Sequence, residues 1–273
     1  MTTRAYNDIL SEAIEDISLN GYDTPDRIAY WTERLRIAAE EQARKPDEME
    51  RMLQEAMRAI YTRLVEKGKA LQYHQGIARF TLEKVRPELR GELDRRILAA
   101  ADLIRLNRTE AIRNTLHRFQ GWATSIPRGG LADVDRGKVK SDLKKPMQRL
   151  PYSERFVLTD QAHKLRASIS EVLAQDGGAL GGIWHSNWRQ SGYQARITHK
   201  ERDLNFYTMR DNWAIRAGLM KVGPYGYYDD ITPVAFEPNC RCFMQWRYSL
   251  RAIPPEQLTV KGRAELDRVR VAA

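Results

Sequence analysis

The sequence has only two cysteines, Cys240 and Cys242, and they stand two positions apart. A disulfide between them would close a very small ring with a geometry outside the usual range. The scarcity of cysteine also excludes a secreted scaffold that depends on several disulfides. We expect both thiols to be reduced, and either to bind a metal or to pack in a tight corner of the chain.

Long apolar runs are lacking as well. No stretch approaches the ~20 apolar residues that a membrane-spanning helix needs, so no membrane partner is expected. Residues 1–8 do not contain the apolar core of a secretion signal. Together with the low cysteine content, these absences predict a protein that is made in a cytoplasm.

Acidic residues are fewer than basic ones. The chain of 273 residues has 36 Asp and Glu against 45 Lys and Arg, which gives a net charge of +9. Such an excess favours contact with nucleic acid or another polyanion, because binding releases counterions. Many basic proteins bind no nucleic acid, so charge alone leaves both interpretations open.

Residues 1–124 predict a helical region. Apolar residues recur at steps of three and four in windows that begin near Ile9, Thr24, Asp47 and Pro87. This spacing is typical of amphipathic helices, and proline is tolerated in the first turn of a helix. The third window is rich in methionine, which favours an adaptable core.

Residues 125–152 predict a basic linker or mobile arm. The segment begins with Pro127 and a Gly-Gly pair, and Pro146 and Pro151 follow. Such residues usually interrupt regular structure. A solvated loop is one interpretation, and contact with DNA phosphates or with an acidic neighbouring subunit is the other. The candidate contact residues are Arg136, Lys138, Lys140, Lys144, Lys145 and Arg149.

Residues 153–250 predict a small α+β domain, and residues 251–273 predict a polar, basic tail in which a short helix is one interpretation. Within the domain, apolar periodicity favours helices over 159–175 and 205–221 and strands over 183–188 and 243–248. The predicted fold class is therefore α+β and predominantly α, with a long-helix N-terminal region followed by a small α+β C-terminal domain.

Two segments of this domain have side chains capable of binding a metal. His199, Cys240 and Cys242 are ligands of the kind that zinc prefers, and His185 or Asp203 is the candidate for a fourth. The alternative is a compact corner without metal, in which His199 bonds to the backbone and the cysteines are small buried groups. No cofactor is expected, with zinc as the alternative.

Two catalytic interpretations are also open. Either cysteine can form a thiol triad with His199 and Asp203, and His185 with the same two residues can serve a metal-dependent nuclease. No cysteine-hydrolase signature surrounds the thiols, and no regular spacing links the carboxylates. An ion-pair network of Arg196, Asp203 and Arg210 is the non-catalytic interpretation.

The order of the two segments resembles the Mu F-like phage minor head proteins. In that family an Arg-x-x-His-x-x-x-Asp element precedes a closing Pro-Asn-Cys-Arg-Cys, and the matching residues here are Arg196, His199, Asp203, Pro238, Asn239, Cys240, Arg241 and Cys242. Trp184 stands where the family has a Trp-centred strand, and residues 158–161 are a loose counterpart of its helix start. The glycine that usually follows the aspartate is Leu204 in this chain.

The resemblance covers residues 150–247 and implies a structural, non-enzymatic minor head protein of a tailed bacteriophage. Such a protein is a virion component that associates with the portal protein, the capsid protein or both during head morphogenesis. It implies a place in the head near the portal vertex, several copies per virion, contact with packaged double-stranded DNA, and synthesis in the host cytoplasm. The residues themselves leave a metal-dependent DNA-processing enzyme and a simple DNA-binding protein as alternatives.

Overall fold

The computed structural model describes residues 5–44 and 47–271, and most of them are helical. The class predicted from the sequence, α+β and predominantly α, is confirmed. None of the helices in these two ranges combines the length and the apolar character needed to cross a bilayer. The helices are α1 (Tyr6–Asn20), α2 (Pro25–Arg44), α3 (Asp47–Tyr61), α4 (Arg79–Lys84), α5 (Arg86–Ala123), α6 (Arg136–Asp176), α7 (Ile197–Glu201), α8 (Trp213–Arg216) and α9 (Val260–Val271). The strands are β1 (Gly181–His185), β2 (Phe206–Thr208) and β3 (Phe243–Arg247).

The chain divides into two compact units. The first unit comprises Met1–Leu53 and Ala99–Val157, and the second comprises Gln54–Leu98 and Leu158–Ala273. The boundaries fall inside α3, α5 and α6. The compact units are therefore discontinuous in sequence, unlike the consecutive segments 1–124, 125–152 and 153–250 that periodicity predicts.

The first unit is a helical core. Its buried apolar residues come from α1, α2, the last part of α5 and the first part of α6. The predicted helical windows that begin near Ile9 and Thr24 match α1 and α2. Leu10, Ile17 and Leu35 are among the side chains with no exposed surface, as expected for the apolar stripe of a helix that faces a core.

The prediction of a linker over 125–152 is wrong for residues 136–152, which form the first part of α6. Pro146 and Pro151 lie inside this helix, although an interior proline costs about 3 kcal/mol. The buried side chains of Leu143, Met147 and Leu150 follow the helical period, and burial of each contributes about 1.5–3 kcal/mol. Burial against the first unit's core therefore offsets the proline penalties. A prediction from helix-breaking residues alone does not include the free energy of this burial.

The interruption that the sequence predicts does occur, but only between α5 and α6. Gly130 has a φ of 84°, in the left-handed region that favours glycine. A Cβ there would lie 2.4 Å from the backbone oxygen of Leu19. Glycine is therefore required where this turn crosses the end of α1.

The second unit contains a three-stranded antiparallel sheet with the order β2-β1-β3. β1 and β3 confirm the predicted strands over 183–188 and 243–248. One face of the sheet buries Trp184, Tyr207, Met244 and Trp246. The opposite face belongs to a second cluster that includes Phe206 and Ile183.

A glycine in β1 makes close packing on the first face possible. Gly182 pairs with Trp246 across the sheet. A Cβ on Gly182 would lie 2.8 Å from the Met244 side chain and 3.0 Å from the Trp246 ring. The absent side chain gives both large neighbours the space to cover the middle of the sheet.

One prediction for the C-terminal segment is wrong and another is incomplete. Residues 205–221, predicted as one helix, contain the short strand β2 and the single turn α8 instead. The predicted polar tail 251–273 contains a short helix, α9, and it also contributes buried Ile253 and Leu258 to the second unit's core. In both segments sheet pairing and burial decide the structure, and neither is encoded in local helical periodicity.

His74 is a buried histidine of the second unit. Its Nδ1 shares a hydrogen bond with the hydroxyl of Tyr248, and only 1% of the residue is exposed. Burial lowers the pKa of His74 to about 4, from an ordinary value of 6.5, and burial also raises the pKa of Tyr248. Both side chains are therefore held in the neutral form at neutral pH.

We expect His74 to make the protein less stable as the pH falls from about 6.5 to about 4. In this range the unfolded chain binds a proton at the imidazole that the folded state excludes, so the free energy of unfolding decreases. The contribution lost by pH 5 is about 2 kcal/mol. In urea unfolding at pH 7 and pH 5, His74→Asn should show a smaller pH-dependent loss than the native protein. Equal losses in the two proteins would contradict the prediction.

Candidate functional site

The two motif segments meet at one corner of the second unit. β1 ends at His185, and α7 then directs His199 inward, where only 2% of it is exposed. The second segment arrives just before β3, which pairs with β1. Sheet pairing therefore brings together residues that lie about forty positions apart in the sequence.

Side chains of other segments hold the Pro-Asn-Cys-Arg-Cys segment as a tight turn by hydrogen bonds to its backbone. Asn239 has a φ of 59°, a conformation that asparagine tolerates better than most residues. Its N–H donates to Oδ1 of Asp160 at 2.6 Å, which ties the turn to α6. The Asn187 side chain donates to the carbonyl of Arg241 at 2.9 Å, and the Arg241 N–H donates to the Tyr193 hydroxyl at 3.2 Å.

A buried cluster of two thiols and one imidazole closes this corner. Nδ1 of His199 lies 3.6 Å from Sγ of Cys240 and 3.5 Å from Sγ of Cys242. Only 1% of Cys240 and 5% of Cys242 is exposed. The Trp184 ring lies edge-on to the imidazole, with 5.5 Å between the ring centroids. All three polar side chains are thus removed from water together.

The other ring nitrogen of His199 faces a carboxylate. Its Nε2 lies 2.8 Å from Oε2 of Glu237, and Nε of Arg196 lies 3.1 Å from the same oxygen. Arg196 also donates from Nη2 to the carbonyl of Pro238 at 3.1 Å. The arginine of the motif therefore binds the turn directly, and Glu237 orients the imidazole so that Nδ1 points at the thiols.

The two thiols have different acidities because they share one site. The thiol of Cys242 and the backbone N–H groups of Cys242 and Ala235 lower the pKa of Cys240. The hydrogen bond with Cys240 and burial raise the pKa of Cys242. The shared site therefore makes Cys240 the more acidic of the two thiols.

The donor set fits a zinc ion bound by three protein ligands. His199, Cys240 and Cys242 each offer one ligand atom, and these atoms lie within 4.8 Å of one another. For Zn–S near 2.3 Å and Zn–N near 2.0 Å, a tetrahedral site separates S and N by about 3.5 Å. The two observed S–N distances match this value, and Glu237 takes the carboxylate position often found behind a metal-bound histidine.

His185 and Asp203, the predicted fourth ligands, do not join the cluster. The His185 ring stacks on Phe243, and its Nε2 lies 3.2 Å from the side-chain oxygen of Gln245. Asp203 accepts hydrogen bonds from the Ser186 N–H at 2.7 Å and from Trp188 Nε1 at 3.0 Å. The site thus offers three protein ligands, whereas closed structural zinc sites use four.

The predicted network of Arg196, Asp203 and Arg210 is also wrong. Arg210 pairs with Asp229 at 2.7 Å and Asp230 at 2.6 Å, and Arg196 pairs with Glu237. Each arginine thus pairs with a carboxylate other than Asp203, in a segment distant in the sequence, which the helical and strand patterns do not predict.

Sequence reasoning missed the roles of Glu237, Asp160 and Tyr193. Glu237 directly precedes the motif proline. Its carboxylate next to a turn with two possible metal ligands could have indicated a contact with His199. Asp160 lies in the segment 158–161 that resembles the family's helix start, and its carboxylate fixes the Asn239 backbone. For Tyr193 no sequence signal distinguishes the hydroxyl from that of any other core tyrosine.

Leu204 occupies a position where the backbone favours glycine. Its φ is 66°, in the left-handed region, and 65% of the residue is exposed. Its N–H donates to the carbonyl of Trp184 at 2.8 Å, which continues the pairing of β1 beyond the end of β2. The glycine found here in the Mu F-like pattern would adopt this conformation without strain.

Comparisons with protein-family models, with curated proteins and with solved structures found no match to this chain. The resemblance to the Mu F-like family therefore depends on the motif residues alone.

We expect reduced protein to bind cobalt(II), a spectroscopic substitute for zinc, through this cluster. Titration should produce the near-ultraviolet absorption of a cobalt–thiolate bond, with one ion bound per chain. Cys240→Ser should abolish that absorption, because it removes one of two thiolate ligands.

His185→Ala is the matched control for the metal prediction, since His185 lies outside the cluster. This variant should bind cobalt like the native protein. Absence of thiolate absorption in the native protein, or an unchanged spectrum in Cys240→Ser, would rule out the proposed ligand set.

Leu204→Gly should leave the free energy of unfolding within about 0.5 kcal/mol of the native value. Relief of the left-handed strain, about 1 kcal/mol, offsets the entropy that glycine adds to the unfolded chain. Leu98→Gly is the control: it is a similarly exposed leucine inside α5, where glycine costs about 1 kcal/mol. A larger loss at position 204 than at position 98 in urea unfolding would contradict this account.

Proposed function

We propose that this protein is a structural minor head protein of a tailed bacteriophage, of the Mu F-like kind, which associates with the portal or capsid protein during head assembly. The observation that carries the proposal is that the motif residues contact one another in the fold. Arg196 and His199 both contact the turn that contains Pro238 and the two cysteines. A motif whose separate parts meet at one corner supports a shared structure with the family it resembles.

The burial and the hydrogen bonds of these side chains favour a structural role over catalysis. A catalytic thiol needs access to its substrate, whereas both cysteines and His199 are buried. Asp203, the third member of a thiol triad or nuclease site, instead binds Ser186 and Trp188. The motif residues thus hold segments of the second unit together. Cys242 lines the cavity beside the turn, but neither Cys240 nor His199 does so.

The backbone conformation of Leu204 agrees with the same proposal. The family pattern has glycine there, and the backbone of this chain has the φ at which glycine is unstrained. A chance match of five motif letters does not predict a left-handed residue at a neighbouring position.

Contact with packaged DNA is part of the proposal. The side-chain partners observed in the first part of α6 reduce the number of residues available for this contact. Arg136 pairs with Glu15, Lys140 bonds to Ser11 and Lys145 pairs with Asp142. Burial lowers the pKa of Lys144, with a smaller contribution from the charge of Lys140. Two of the predicted DNA-contact residues are exposed and make no ion pair within residues 5–44 and 47–271: Lys138 and Arg149.

We expect the protein to form a stable complex with the portal protein encoded by the same phage or prophage. Co-expression followed by size-exclusion chromatography with light scattering should show the two chains in one assembly. A portal protein from an unrelated phage is the control and should elute separately. The purified chain should have no nuclease activity with Mg²⁺, Mn²⁺ or Zn²⁺.

Two results together would overturn the proposed function. They are failure to associate with the cognate portal and capsid proteins, and metal-dependent DNA cleavage that His199→Ala abolishes. Such an outcome would support the DNA-processing enzyme instead.

A further inference from the structure

A cavity in the second unit adjoins the cysteine turn but is not explained by it. Its volume is about 400 Å³, within the range of small-molecule sites. One wall comes from residues 60–74, another from α6, and the third from the cysteine turn and β3. All of these lining residues belong to the second unit.

The charge of the lining is one-sided. Arg63, Lys69, Arg166 and Arg241 line the cavity, and no Asp or Glu does so among the described residues. Over the whole chain, acidic residues are nearly as numerous as basic ones, 36 against 45. A wall with several cations and no carboxylate therefore departs from the average surface and favours an anionic ligand.

Several of these cations have no protein partner for their charge. In the part of the chain that the structure describes, no carboxylate lies within ion-pair distance of Arg63, Lys69 or Arg166. Nε of Arg241 is buried and has no hydrogen-bond partner there. A buried donor without a partner is costly, and a ligand acceptor would satisfy it.

The lowered pKa of the neighbouring His163 agrees with a positively charged cavity. Burial lowers the pKa of His163, and the positive charges of Arg166 and Arg241 lower it further. His163 also lines the cavity. The imidazole is thus a neutral hydrogen-bonding group beside the cations.

The remaining lining is apolar and aromatic. Trp246, Met244 and Ile169 are buried at the cavity, and Tyr73 lies exposed at its edge. A flat ring can pack against such groups, while a dianionic phosphate matches several cations better than a single carboxylate does. The cavity therefore combines the two kinds of contact that recognise an organic phosphate.

The geometry points to a binding site for a small organic phosphate of mononucleotide size. The phosphate contacts Arg63, Arg166 and Arg241, and the body of the ligand lies against Trp246. Of the thiol cluster only Cys242 lines this cavity, and the phosphate contacts proposed here do not involve its thiol. The inference does not depend on the assignment to a phage head.

Isothermal titration calorimetry of the full chain with 5′-AMP tests the inference. AMP should bind, adenosine should bind at least about tenfold more weakly because it lacks the charge, and inorganic phosphate should also bind more weakly because it lacks the ring. Arg63→Ala combined with Arg166→Ala should weaken AMP binding about tenfold or more. Both side chains are exposed, so the double variant should fold normally.

Arg216→Ala combined with Arg251→Ala is the matched control. It removes the same charge from two exposed arginines of the second unit that do not line the cavity, and AMP affinity should change less than about twofold. No AMP binding at millimolar concentration, equal affinity for inorganic phosphate, or equal losses in the two double variants would overturn the inference.

Discussion

The joint burial of two thiols and one imidazole is the interaction on which the closing corner of the second unit depends. Each of these groups is costly to remove from water alone, and each finds its partner only when α7 and the cysteine turn are both in place. Glu237 and Arg196 extend the same contact outward to charged groups near the surface. Two segments that local sequence leaves independent are thereby made to fold together.

The same corner can serve with or without a metal ion. The S–N distances fit thiol–imidazole hydrogen bonds as well as the edges of a zinc tetrahedron, because both place the atoms about 3.5 Å apart. In both cases the contacts of His199 with the two thiols join the cysteine turn to α7. The cavity beside it differs in kind, because its cations face open space, whereas the cluster's polar atoms face one another.

Local sequence patterns predicted the helices whose hydrogen bonds join neighbours close in the chain, and two strands with clear alternation. The apolar period found α1, α2, α3 and α5, and alternation found β1 and β3. The pattern failed at Pro146 and Pro151, where distant core residues outweigh the local penalty. It failed again over 205–221, because a three-residue strand is defined by the partner that it pairs with.

The sequence by itself determined which residues carry the candidate chemistry: the two cysteines, the histidine and the arginine of the motif are distinctive by type and spacing. It also determined the fold class, because period and composition are local properties. Only the tertiary structure decided which of these residues meet. It placed Glu237 at His199, left His185 and Asp203 with other partners, and collected cations from residues 63 to 241 around one cavity. Those outcomes depend on burial and on distances between remote segments, which no local pattern of residues encodes.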